Sequence, residues 1–208
     1  MNQVKKLKKL EKLSYFDKNT LSQVIDLSDK ALYENIQRWI KNNVLVQLKK
    51  GLYVTRTYVD SVQNKTQYAE FLANQLRTPS YLSLEYVLQK SNILTESVFA
   101  YTSITLKSKR MYQNNLGVFM YRSIKPSLFT GFKSNKSVRY TIYTASKEKA
   151  LFDYLYLKFF RMKLVDRSLI NSLRLNLDEF GTQEKRKFKE YCDLTEIKKY
   201  KNLPNILF

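Results

Sequence analysis

The spacing of apolar residues predicts three helices at the start of the chain. Between residues 4 and 13 every third residue is apolar and lysine fills most other positions, which indicates a short amphipathic helix. Asn19 or Thr20 is the expected N-cap of a second helix, and Ser28 or Asp29 that of a third. The third helix is the clearest, because its apolar residues have the i, i+4, i+7, i+8 spacing of one helix face: Leu32, Ile36, Trp39 and Ile40.

After these helices the hydrophobic period changes to that of β-strands. Val44–Leu48 is expected to form a strand, Lys49-Lys50-Gly51 a turn, and Leu52–Thr55 the returning strand. Two short helices across a tight turn, followed by a hairpin, have the order of a winged helix-turn-helix. We therefore predict a winged helix-turn-helix domain at residues 1–57 and a larger domain at residues 58–208.

The larger domain combines both patterns and is expected to be mixed α/β with a mainly antiparallel sheet, so that the whole chain is α+β. Helices are predicted at 58–78, after Ser80 or Ser83, after Ser146, at 166–177 and at 182–192. Strands are predicted at Val98–Leu106, Val118–Ile124 and Val138–Tyr143, with turns at Asn114-Asn115 and Ser134-Asn135.

Asp153 lies in the middle of the most apolar helix, the one that begins after Ser146. That helix is apolar on nearly every face, which is typical of a central buried helix. A buried carboxylate needs an ion-pair or hydrogen-bond partner. We therefore expect a structural contact from Asp153 to an arginine, lysine or tyrosine rather than a catalytic role.

The charge balance points to a polyanionic partner. The 37 Lys and Arg residues outnumber the 18 Asp and Glu residues, giving a net charge of +19. Residues 97–147 contain nine basic residues and no acidic one, so the excess is not spread evenly. No run approaches the ~18 apolar residues of a transmembrane helix, so we expect no membrane partner.

The single cysteine, Cys192, cannot form an internal disulfide. This suits the reducing cytosol, so we expect a cytoplasmic protein.

Catalytic chemistry is poorly represented. The chain has no histidine, which excludes a Ser-His-Asp triad, a Cys-His pair and histidine metal ligands. Its four glycines are too dispersed for a phosphate-binding loop or a dinucleotide fingerprint. We expect no enzymatic activity, no catalytic residues, no cofactor and no metal.

Two groups of side chains are candidates for contact with nucleic acid. In a winged helix the third helix enters the major groove and the hairpin tip approaches phosphates. The candidate DNA-binding residues are therefore Lys30, Tyr33, Glu34, Gln37, Arg38, Lys41, Lys49 and Lys50. A second basic surface, for DNA, RNA or another partner, is predicted at Lys107, Lys109, Arg110, Arg122, Lys125, Lys133 and Arg139. The alternative for the first group is a solvated helix face or a protein-binding winged helix, and the alternative for the second is a solvated sheet face without a ligand.

Three stretches of the chain resemble a known family. Gly51-Leu52-Tyr53, the segment from Pro79 to Glu85 (PSYLSLE) and the segment from Ser146 to Asp153 (SKEKALFD) look like the AbiEi antitoxins of bacterial type IV toxin–antitoxin (abortive infection) systems. The likeness extends from about residue 15 to residue 160. Asn92 stands where many relatives have glycine, and Val87 where a small residue is usual.

This resemblance implies a specific function. AbiEi antitoxins pair an N-terminal winged helix with a C-terminal antitoxin domain. The winged helix binds inverted repeats in double-stranded DNA at the promoter of its own operon and represses it. The C-terminal domain counteracts a nucleotidyltransferase-like toxin without forming a stable complex.

Two other functions remain open from the sequence. One is a stand-alone winged-helix transcriptional regulator without a toxin partner. The other is an RNA-binding or nucleolytic protein that uses the basic region at residues 97–147.

Overall fold

The computed structural model describes residues 3–178 and 180–208. The chain divides into two compact units. The first contains Met1–Tyr68 and Tyr112–Gly117, and the second contains Ala69–Met111 and Val118–Phe208. Helices and strands together give an α+β protein, as the sequence predicts.

The first unit contains five helices or parts of helices and a small sheet. Its elements, in chain order, are α1 (Gln3–Leu7), β1 (Phe16–Asp17), α2 (Lys18–Val24), α3 (Asp29–Lys41), β2 (Leu45–Lys49), β3 (Leu52–Thr55), α4 (Arg56–Ser61) and the start of α5 (Lys65–Leu76). The three strands form an antiparallel sheet in the order β1-β3-β2. The predicted third helix and the hairpin after it are confirmed.

The core of the first unit lies between α3 and its neighbours. Leu32, Ile36 and Trp39 of α3 are buried against Leu21 of α2 and Leu45 of β2. The first helix is shorter than predicted, because it passes into a 3-10 turn at Lys8–Leu10. Ser28 caps α3 as predicted, since its hydroxyl accepts a hydrogen bond from the Ala31 amide.

The N-cap of α2 is Asp17, not Asn19 or Thr20 as predicted. Its carboxylate accepts hydrogen bonds from both the amide (2.8 Å) and the hydroxyl (2.9 Å) of Thr20. These bonds favour the ionised form and lower the pKa of Asp17. Asp17 was not among the predicted caps, although it also has the side-chain oxygen that an N-cap requires.

The cap gives a pH-dependent prediction. Asp17→Ala is expected to lower the free energy of unfolding of the first unit by about 1 kcal/mol near neutral pH. Because the pKa of Asp17 is lowered by folding, its contribution is present above the unfolded-state pKa and is lost as the pH falls through the folded-state pKa. Asp17→Asn, which keeps the acceptor oxygen, should retain most of the stability and lose this pH dependence. Urea titrations followed by fluorescence of Trp39, the only tryptophan, test both expectations; equal stability of Asp17→Ala and wild type would contradict the assignment of the cap.

The first unit continues past the domain boundary predicted after residue 57. The rings of Tyr58 and Tyr68 are 5.5 Å apart, and the Tyr68 hydroxyl donates to the Ser14 carbonyl at 2.6 Å. These contacts hold α4 and the start of α5 to the helices at the beginning of the chain. Helix propensity does not reveal such contacts, which is why the pattern at 58–78 predicted one connecting helix where the structure has two.

The second unit is built on a six-stranded sheet. Besides most of α5, its elements are β4 (Ser80–Leu82), α6 (Leu84–Lys90), β5 (Ala100–Thr105), the start of β6 (Arg110–Asn114), β7 (Gly117–Ser123), β8 (Phe132–Lys136), β9 (Thr141–Ala145), α7 (Lys147–Lys158), α8 (Arg167–Asn171), α9 (Thr182–Asp193), α10 (Lys198–Lys201) and α11 (Leu203–Leu207). Residues 112–114 of β6 and Gly117 of β7 belong to the first unit. The strand order is β6-β7-β5-β4-β9-β8. The sheet is mixed: β4 pairs antiparallel with β5, and β8 with β9, whereas β4 pairs parallel with β9, and β5 with β7.

The expected turn at Ser134-Asn135 is wrong: both residues lie in β8, where Ser134 pairs with Tyr143 and Asn135 with Ile142. The helix expected after Ser80 or Ser83 is confirmed as α6, with Ser83 as its N-cap, whereas Ser80 begins β4. Strand propensity does not predict either strand, because β8 is an exposed edge strand with polar side chains and β4 is only three residues long.

Buried polar groups connect α7 to the sheet. The Lys149 ammonium donates to Asp153 Oδ1 at 2.6 Å and to the Leu128 carbonyl at 2.8 Å, and both side chains are fully buried. Asp153 Oδ2 accepts hydrogen bonds from the hydroxyls of Tyr81 (3.1 Å) and Ser83 (2.8 Å). Burial lowers the pKa of Lys149 and raises that of Asp153, and their mutual attraction opposes both shifts. The expected structural contact of Asp153 with a lysine or tyrosine is confirmed.

The helices in the last quarter of the chain are placed differently from the prediction, since α10 and α11 form in the tail, where no helix was predicted. Of the expected helix at 166–177 only α8 forms, whereas the expected helix at 182–192 is confirmed as α9. Cys192 is buried in α9, and burial raises the pKa of its thiol. Within residues 3–178 and 180–208, no helix has the length and apolar character needed to cross a membrane.

Candidate nucleic-acid interface

The face of α3 opposite its buried stripe is exposed and polar. Ile36 and Trp39 anchor the helix through the core, and Arg38 lies between them in sequence but points outward. The Arg38 guanidinium donates to the Asn35 side chain, which holds it at one side of the exposed face. Six of the eight candidate DNA-binding residues are exposed on this helix: Lys30, Tyr33, Glu34, Gln37, Arg38 and Lys41.

The other two candidates, Lys49 and Lys50, differ in their surroundings. Lys50 is exposed in the turn of the β2–β3 hairpin, next to Gly51, whose φ of +81° suits glycine. Lys49 is half-buried at the end of β2, and its ammonium lies 5.9 Å from the centroid of the Tyr112 ring. Asn114 also donates to the Leu48 carbonyl at 2.9 Å. Lys49 therefore has a structural contact in addition to any ligand contact, a distinction that the sequence does not reveal.

The N-terminal end of α3 carries an ion pair that the sequence analysis did not anticipate. Lys18 and Asp29 approach to 3.1 Å, and both side chains are substantially exposed. Exposed pairs of this kind contribute little to stability. Their consequence here is electrostatic, because Lys18 partly neutralises the carboxylate nearest the start of the candidate DNA-facing helix.

In the second unit, the topology collects basic side chains at one edge of the sheet. Because β5 and β7 are parallel, both end at the same edge. Ser80 pairs with Thr105 at the end of β5, so β4 begins at this edge. Because β9 is parallel to β4, it also begins at this edge. The turn that connects β8 to β9 therefore lies at the same edge. We name this the basic edge: Arg77, Lys107, Lys109, Arg110, Arg122, Lys125, Lys136 and Arg139.

The predicted second basic surface is largely brought together at the basic edge. Six of the seven predicted residues belong to the basic edge. Lys133 does not, because it lies near the start of β8, paired with Thr144 and away from this edge. The sequence analysis missed Lys136 and Arg77. The Arg77 guanidinium donates to the Ser108 hydroxyl at 3.0 Å, which ties the end of α5 to the loop that carries Lys107 and Lys109. The chain segments that form this edge, residues 77–80, 105–110, 122–125 and 136–141, contain no carboxylate side chain.

No protein-family model and no curated protein matches this sequence. Among the residues that the structure describes, no group of three His, Cys, Asp or Glu side chains is placed to hold a metal ion.

Proposed function

We propose that the first unit is a winged helix-turn-helix that binds double-stranded DNA. The observation that carries this proposal is the two-sided character of α3, which is anchored in the core by one face and presents Lys30, Gln37, Arg38 and Lys41 on the other. A helix of this kind, followed by a hairpin with an exposed lysine at its turn, suits insertion into the major groove with the hairpin against the backbone.

The exposed side chains of α3 divide by chemistry into two roles. Gln37 has an amide donor and an amide acceptor, and Arg38 has two parallel N–H donors, so both can bind base edges in a bidentate manner. Glu34 can accept a hydrogen bond from the amino group of cytosine. Lys30, Lys41 and Lys50 act as point charges against phosphates, which position the protein without reading the sequence. Tyr33, whose side chain is 59% exposed, packs against the backbone or a thymine methyl group.

We further propose that the protein is an autorepressor and a type IV antitoxin. The support is the resemblance of the three stretches described above to AbiEi antitoxins. On this proposal the target DNA is the promoter of its own operon, and the second unit counteracts a nucleotidyltransferase-like toxin without a stable complex. Growth rescue of cells that express a nucleotidyltransferase encoded beside this gene would separate an antitoxin from a stand-alone regulator.

The role of Arg38 gives a direct test. Arg38→Ala is expected to weaken binding to the operator by about 1–3 kcal/mol while changing binding to unrelated DNA much less, because a base-edge contact is lost. Arg38→Lys is the matched control. It keeps the charge and loses the planar fork, so it should also lose discrimination while retaining affinity for unrelated DNA.

Lys50→Ala provides the contrasting result within the same experiment. Loss of a phosphate contact should lower affinity for all sequences alike and reduce the slope of log affinity against log salt by about one. Titrations of labelled operator and scrambled duplexes measure both effects. Unchanged binding in both Arg38→Ala and Lys50→Ala would refute the proposed docking of α3 and the hairpin.

A further inference from the structure

The second unit contains a cavity that the proposed DNA-binding role does not use. It has a volume of about 220 Å³ and lies between the end of α5 and strands β4, β8 and β9. Its walls include Asn74, Thr78, Ser80, Phe129, Phe132 and Tyr143.

Aromatic rings form one side of this cavity and are held in place by each other. The Phe132 ring lies 5.3 Å from the Phe129 ring and 6.1 Å from the Tyr143 ring, edge to face in both cases. Behind them, Tyr81 stacks on Phe132 at 4.5 Å. Phe129 and Phe132 are half-buried and Tyr143 is 40% exposed, so the group presents aromatic surface without being part of the closed core.

Hydrogen bonds hold the polar side of the cavity. Asn74 receives a hydrogen bond from the Tyr143 amide at 2.7 Å and donates to the carbonyls of Tyr143 (3.3 Å) and Ser80 (3.4 Å). These bonds tie α5 to two strands of the sheet and hold the aromatic side at a fixed distance from the helix. A cavity with aromatic rings on one side and hydrogen-bonding side chains on the other suits a flat ring that carries polar groups.

The volume of the cavity limits the size of the ligand that it can hold. An apolar cavity of about 150 Å³ is known to accept benzene. The cavity here is somewhat larger, at about 220 Å³, but smaller than the roughly 300 Å³ at which pockets for drug-sized molecules begin. A single heterocyclic ring system fits between these limits.

The basic edge lies beside the cavity. Thr78 and Ser80 belong to the cavity wall, and Ser80 is paired with Thr105, immediately before the loop that carries Lys107 and Lys109. Arg77, next to Thr78 in the chain, is hydrogen-bonded to Ser108 of that loop. A ligand whose ring enters the cavity therefore has its attached groups within a strongly positive, carboxylate-free region.

We propose that the second unit binds single-stranded nucleic acid, with one unpaired base in the aromatic cavity and the adjoining phosphates along the basic edge. Proteins that bind single strands combine stacking on aromatic rings with a positive path for the backbone. A base in a duplex is stacked between its neighbours and does not reach such a slot unless it is flipped out. The inference is independent of the winged helix, because all the residues involved belong to the second unit.

The test uses the full chain and a labelled single-stranded RNA of about 12 nucleotides, within the range of known single-strand site sizes. Tyr143→Ala should weaken binding about 5- to 150-fold, as expected for loss of stacking on one base, and Tyr143→Phe should restore it. Replacing Lys107 and Lys109 by alanine should weaken binding and reduce its salt dependence. Phe99 is an exposed aromatic residue at the opposite edge of the sheet, and Phe99→Ala should leave binding unchanged.

Competition and fluorescence complete the design. If unlabelled single-stranded DNA and unlabelled RNA compete equally, the protein recognises only the base and the phosphates. If only RNA competes, the protein also contacts the 2′-hydroxyl. Both results support the proposal. A 2-aminopurine in the strand should be quenched on binding to wild type and to Tyr143→Phe. Equal affinity of Tyr143→Ala and wild type, equal competition by duplex DNA, or absence of quenching would overturn it.

Discussion

Lys149→Met is expected to lower the free energy of unfolding of the second unit by about 3–5 kcal/mol, because it leaves the buried Asp153 carboxylate without its counter-charge. The pair is fully buried, and its ammonium and carboxylate are 2.6 Å apart. At such a site the carboxyl group either remains charged without a counter-ion or binds a proton, and both outcomes cost free energy. The hydroxyls of Tyr81 and Ser83 compensate only in part.

A double variant separates loss of the pair from loss of packing. In Lys149→Met/Asp153→Asn both charges are removed while an acceptor for Tyr81 and Ser83 is kept, so most of the stability should return. Lys158→Met is the matched control, because Lys158 is exposed near the end of the same helix, and its effect should stay within about 0.5 kcal/mol. Urea denaturation followed by circular dichroism measures all three. Additive losses in the double variant would show that the two side chains do not act as a pair.

Ile36→Ala is expected to lower the free energy of unfolding of the first unit by about 2–5 kcal/mol. Ile36 is 1% exposed and packs in the core that α3 shares with α2 and β2. The substitution leaves a cavity beside Trp39, whose fluorescence then reports unfolding of this unit directly. Because α3 is positioned by this core, DNA binding should be lost at lower urea concentrations in the variant than in wild type.

Tyr33→Ala is the control on the exposed face of the same helix. Its side chain is 59% exposed, so its effect on stability should be within about 0.5 kcal/mol, while operator affinity should fall. The substitution on the buried face of α3 is thus expected to lower stability, and the substitution on its exposed face to lower DNA affinity. Equal destabilisation by the two substitutions would contradict the orientation of the helix.

The first unit was the more predictable, because its elements are specified by local patterns. The apolar spacing of α3 and the change of period at the hairpin are properties of consecutive residues, and both elements formed where expected.

The candidate sites of the second unit depend on non-local pairing, which a single sequence does not specify. The basic edge exists because β5 and β7 are parallel and end together, and no local signal marked that pairing. The aromatic cavity is formed in part by β8, which was not predicted because its polar residues Ser134 and Asn135 indicated a turn. For Asp153 the sequence predicted that a partner exists, and only the helix geometry identified Lys149, one turn away.

The most direct test of the central claim is a titration of the intact protein with labelled duplex DNA from upstream of its own gene and with a scrambled duplex, followed by fluorescence anisotropy at a low and a high salt concentration. If α3 reads base edges, the preference for the native duplex persists at high salt, since base contacts are less sensitive to salt than phosphate contacts. If the two duplexes bind equally and high salt abolishes both, the net charge of +19 alone explains the binding, and the proposed sequence-reading role of α3 is wrong.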